Sequence, residues 1–154
     1  MMRRSFIMKD RFSIGFTSGI IGGLVPFIFN FSSRALGFTT LLWSDFMGSI
    51  MLGRMPEGTL ERVFFVVVEF MFLGVLGAIF ALILPYISSK RHLFKGALFG
   101  VTVWFILFSL PHLLQLPGFD ATPLKTAVSN IISASLWGLS LAYILKRLDN
   151  KVSH

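Results

Sequence analysis

Glu69 is the residue in this chain best placed to do chemistry. It stands in "FVVVEFMF", within the run "ERVFFVVVEFMFLGVLGAIFALILP" from Glu61 to Pro85, which is otherwise apolar after Arg62. It follows Val63 by six residues, which is about 9 Å along a helix rising 1.5 Å per residue. An ionised carboxylate that deep in a membrane costs several kcal/mol, so a carboxylate there needs a reason. Three readings are open. Glu69 binds a proton or a cation in a cavity, it hydrogen-bonds neighbouring helices together, or it snorkels outward toward Arg62.

Partners for Glu69 follow from depth. Ser133 lies seven residues after Thr126, about 10 Å into its own helix and level with Glu69. Thr126, Ser133 and Ser140 recur every seven residues and share one helix face, with Asn130 beside it. Ser109 ends another apolar run on the same side. Glu69, Ser109, Asn130 and Ser133 thus form a candidate intramembrane polar cluster.

Other chemistry finds little support. The chain has no Cys, which excludes thiol nucleophiles, Cys-ligated zinc and disulfides. His92, His112 and His154 have no metal-site spacing. There is no P-loop, HExxH, GxSxG or GxGxxG signature. No cofactor, metal or enzymatic activity is expected.

The elements that hold these residues are membrane helices. The chain is 55% hydrophobic and 14% charged, with a mean hydropathy of +0.79 over 154 residues. Such a composition needs lipid to cover its apolar surface. Four runs reach the length of about 20 residues that a bilayer requires. They cover approximately 12–31, 63–87, 93–113 and 126–145. The basic start "MMRRSFIMKDR" precedes the first run, and no small-x-small cleavage site follows it, so it reads as an uncleaved anchor. Pro26, Pro85 and Pro111 should kink or end their helices, Pro117 marks the loop after the third, and Thr122-Pro123 should start the last.

The formal net charge is +7, and its distribution points to topology rather than to nucleic acid. Ten Lys and Arg lie in the N-terminal segment, the link between spans two and three, and the C-terminal tail; four lie elsewhere. The positive-inside rule places both termini in the cytoplasm. The link "SSKRHLFK" and the tail "LKRLDNK" read first as setting this topology alone; the alternative is that they also attract anionic lipid heads.

Between the first two spans, "LLWSDFMGSIMLG" (41–53) is too short to cross. Leu42, Trp43, Phe46, Met47, Ile50 and Met51 fall on one helical face, and Asp45, Gly48 and Ser49 on another. It reads as an amphipathic interfacial or re-entrant helix.

Small residues recur every four positions in all four spans. They are Gly15, Gly19 and Gly23; Gly74 with Ala78 and Gly77 with Ala81; Gly96 and Gly100; and Ala134, Gly138 and Ala142. Such stripes let membrane helices approach closely, within the chain or against a homo-oligomer or membrane partner. The expected fold is an all-α bundle of four transmembrane helices, residues 1–154 forming one membrane domain.

"LFKGALFGVTVWFILFSLP" (Leu93–Pro111) and "SLWGLSLAYILKRLDNKVSH" (Ser135–His154) resemble the second half of small bacterial inner-membrane proteins typified by YagU and YqhR. The glycine-rich first span and long outer link are also similar. The resemblance covers about half the chain and implies an inner-membrane location. It carries over no functional residues. Ala134 and Ser135 stand where some relatives have a polar aromatic residue. The expected role is non-enzymatic, in structure or in binding lipid or partners. The alternative is a proton- or cation-linked transporter or channel using Glu69.

Overall fold

A computed structural model describes the backbone of residues 2–87, 91–114 and 122–152, and the side chains of 11–87, 91–111, 113–114 and 122–149. The described residues form five α-helices and one 3-10 turn, without strands: α1 (Met2–Ala35), α2 (Trp43–Leu52), α3 (Gly58–Ile83), the turn Leu84–Tyr86, α4 (His92–Leu113) and α5 (Leu124–Val152). Four stretches are long and apolar enough to cross a membrane: Arg11–Ala35, Gly58–Tyr86, His92–Pro111 and Leu124–Asp149.

The helices outrun the apolar stretches at most ends, because polar residues outside the apolar layer still satisfy their backbone best in a helix. Pro26 and Pro111 lie inside α1 and α4 rather than at their ends. Each removes one i→i−4 bond, from the carbonyls of Gly22 and Leu107 respectively. The Pro123 carbonyl accepts from Thr126 N at 2.9 Å and Ala127 N at 3.1 Å, so α5 starts a residue later than Thr122-Pro123 suggests. Pro117 lies outside the described residues.

A Schellman turn ends α1. Gly37 has φ +74°, its N–H donates to Arg34 O at 3.0 Å, and Phe38 N donates to Ser33 O at 2.9 Å. Gly53, at φ +67°, closes α2 by donating to Ser49 O at 3.0 Å.

Two glycine seams bring the long helices together. In the first, α1 meets α3: a Cβ placed on Gly19 would lie 3.0 Å from Gly74 Cα, and one on Gly77 would lie 2.7 Å from Gly19 Cα. In the second, α4 meets α5: a Cβ on Gly100 would lie 3.0 Å from the Ala134 carbonyl carbon, and one on Gly138 would lie 3.2 Å from Ala97 Cα. The stripes on all four spans are therefore occupied by other helices of the same chain. Gly22 sits against Leu141 and joins α1 to α5, and Trp137 Nε1 donates to Gly19 O at 3.2 Å across that contact. Phe80, Trp137, Leu141 and Leu145 form the main buried cluster.

Packing is unequal around the molecule. α1 touches both α3 and α5, and α4 lies along α5. α3 and α4 instead meet through side chains, as between Phe80 and Phe99, whose ring centroids are 5.1 Å apart. α2 packs on α3.

The structure decides which side of α2 faces the bundle. Leu42 and Phe46 of the apolar face are buried, and so are Asp45, Gly48 and Ser49 of the polar one, while Ile50 and Met51 are exposed. The polar side turns inward because it has partners there. Arg34 Nη1 donates to Asp45 Oδ2 at 2.6 Å, Leu42 N donates to the same oxygen at 3.4 Å, and Ser49 Oγ donates to Asp45 O at 2.9 Å. Gly48 lets Pro56 and Phe65 come close; a Cβ there would lie 3.0 Å from Phe65 Cδ2.

Candidate functional site

Glu69 is buried, 6% exposed, on the inner face of α3. It borders a cavity of about 40 Å³. The cavity fills the gap that the loose α3–α4 contact leaves. Phe72, Leu73 and Leu76 of α3 form one wall, and Val103, Trp104 and Leu107 of α4 the other. Ser133 and Trp137 of α5 and Pro26 of α1 close the back, and Trp43 and Met47 of α2 cover one end.

Two further residues with polar groups line this space. Ser133 Oγ and Trp104 Nε1 are buried and have no hydrogen-bond partner among the described residues. An unpaired buried donor costs about 1–3 kcal/mol, so both groups favour an occupant able to bond them. The volume exceeds the ~10–15 Å³ that a water needs, and three polar groups are enough to hold one. A water accepting from Trp104 N–H and donating to Glu69 would satisfy both. The indole N–H disfavours a bare cation beside it, because it presents the positive end of its dipole.

The four residues of the expected cluster separate. Glu69 and Ser133 share the cavity. Asn130 is buried on α5 but is not among the cavity's lining residues, and its Oδ1 has no partner among the described residues. Ser109 is exposed on α4. Depth alone placed Ser109 beside Glu69; the seam that fixes α4 to α5 turns the Gly96–Gly100 face inward and Ser109 away. Glu69 does not snorkel toward Arg62, since it is buried and Arg62 is exposed. The His112 side chain and His154 lie outside the described residues.

Trp104 was missed by reasoning from charge. A signal existed: a tryptophan in the middle of an apolar span brings an N–H that must find an acceptor.

Further along the α1–α5 contact, Ser33 Oγ and Ser129 Oγ lie 2.6 Å apart, and Thr126 Oγ1 accepts from Thr40 N at 3.2 Å. These bonds tie the end of α1 and the following link to the start of α5. Among the described residues, no three His, Asp or Glu side chains gather as a metal site requires. Among the residues that line the cavity, Glu69 is the one ionisable group. In comparisons with protein-family models, curated proteins and solved structures, the chain matches none.

Proposed function

We propose that this small multi-pass integral membrane protein works by binding lipid or a partner subunit rather than by catalysis. In this reading its four long helices form a transmembrane bundle, α2 lies at the outer interface, and both termini are cytoplasmic in a bacterial inner membrane. The excess of Lys and Arg in the N-terminal segment, the link between the second and third long helices and the C-terminal tail supports this orientation. The observation that carries the non-enzymatic reading is the wall of the cavity. It is mostly apolar and Glu69 is its single ionisable residue, so it offers no pair of titratable groups to divide acid and base roles. The small-residue stripes are used within the chain, so a second copy or partner would meet the outer faces instead. Purification of the full chain from membranes, followed by native mass spectrometry, tests this reading. A stoichiometric lipid or protein retained on the chain is expected. A chain free of both, with turnover of a lipid substrate, would replace it with an enzyme.

A second reading rests on a specific observation, the Glu69 carboxylate beside the unpartnered Trp104 N–H and Ser133 hydroxyl. In it, Glu69 passes a proton through a small wet cavity as part of solute movement. Glu69→Gln keeps the shape and removes the exchangeable acid. Proton flux into liposomes should then vanish in the variant and persist in the unaltered chain; equal flux in both would sink the idea.

A further inference from the structure

We infer that the crevice between the start of α4 and the end of α5 holds the headgroup of an anionic phospholipid. This deepens the lipid-binding reading above and rests on it. The crevice has a volume of about 740 Å³. Arg91 lies just before α4, and Lys146 and Arg147 lie near the end of α5, so three cationic side chains line one space. Among the described residues, no Asp or Glu lines it. The nearby Asp149 pairs with Arg11 at 3.7 Å. Lys95 also belongs to this end, but its Nζ donates to Ile87 O at 2.7 Å and it is buried outside the crevice lining.

The same crevice has an apolar side. Leu93, Phe94 and Tyr143 are all at least half exposed and line it together with the cations. The apolar stretches of α4 and α5 begin and end here, at His92 and Asp149. A headgroup would thus meet charge while its acyl chains continue along apolar helix surface. Free phosphate would use only the charged half. Arg147 is also pre-positioned, with its guanidinium carbon 5.2 Å from the centre of the Tyr143 ring. A guanidinium held over an aromatic face keeps its N–H fork available to phosphate oxygens.

The test uses the delipidated full chain in detergent, offered phosphatidylglycerol or phosphatidylcholine, with retained lipid counted by native mass spectrometry. Phosphatidylglycerol should be retained preferentially, and K146Q with R147Q should reduce its retention about fivefold per cation removed. Lys125→Gln, in a separate groove between α1 and α5, should leave retention unchanged. Equal retention of the two lipids by the unaltered chain overturns the inference while leaving binding of other lipids or partners intact. Retention abolished by millimolar inorganic phosphate assigns the crevice to free phosphate and also overturns it. If the double variant fails to fold, the comparison of the two lipids on the unaltered chain still decides.

Discussion

Glu69, Trp104 and Ser133 show how a polar group in a membrane helix is judged by what faces it. Glu69 meets a small cavity, and Ser133 contributes a hydroxyl that bonds nothing among the described residues. Ser133→Ala should therefore leave stability unchanged or raise it by up to about 1 kcal/mol, because it removes an unpaired buried hydroxyl and no hydrogen bond to another protein group. Unfolding in mixed micelles measures it, and a loss above about 1 kcal/mol would mean that the hydroxyl has a bonded occupant. Trp137 is the contrasting case, since its N–H bonds the Gly19 carbonyl across α1 and α5. Trp137→Phe keeps most of the packing and should cost about 1 kcal/mol in the same measurement. A cost indistinguishable from zero would remove that bond from the account. The carboxylate at position 69 was legible in the sequence as an anomaly. Its neighbour Trp104 was not, because an indole reads as apolar until its N–H is located.

Glycine seams and a few ion pairs, chief among them Arg34 with the largely buried Asp45, hold the elements together. α4 has close backbone contact with α5 and only side-chain contact with α3. A branched side chain at Gly138 cannot fit against Ala97 and Gly96. Gly138→Val should separate α4 from α5 and destabilise the fold by about 1–3 kcal/mol or more. Crosslinking between cysteines introduced at Ala97 and Leu141 would report the separation; unchanged crosslinking would show that α4 is held by something else. α2 depends on Arg34, whose bond to the largely buried Asp45 anchors that helix beside α1. Arg34→Gln should cost about 1–3 kcal/mol, by leaving that carboxylate without its charged partner. Protease access to the 53–57 turn would rise with it, and equal access would count against the anchor. Residue types predicted a short helix at α2 with two faces, but not which of them turns inward. Where the surroundings of a helix are partly lipid, the polar face can be the one with partners inside, and Ile50 and Met51 can point out.

At the scale of the whole molecule, charge distribution and helix count make one joint prediction. Four spans and a basic excess at three segments put both termini on the same side. The absence of native cysteine makes the check direct. Single cysteines at Ser5 and Lys151 should react with an impermeant thiol reagent only after the cytoplasmic side is opened, and one at Thr59 should react from outside. Labelling of all three from one side would break the topology. The order of contacts, α4 to α5 to α1 to α3 to α2, also places the cavity at the least tightly closed seam, where α3 and α4 face each other.

The sequence by itself determined the number of long apolar helices, their approximate bounds and the presence of close-packing stripes. These depend on local composition and on a helical period that needs no neighbour to be read. Tertiary structure decided which stripes meet, that Ser109 turns away while Ser133 and Trp104 turn toward Glu69, and that α2 buries Asp45. Those outcomes depend on rotation of each helix about its axis. That rotation is set by contacts between helices far apart in the chain, through pairs such as Gly100 with Ala134 and Arg34 with Asp45.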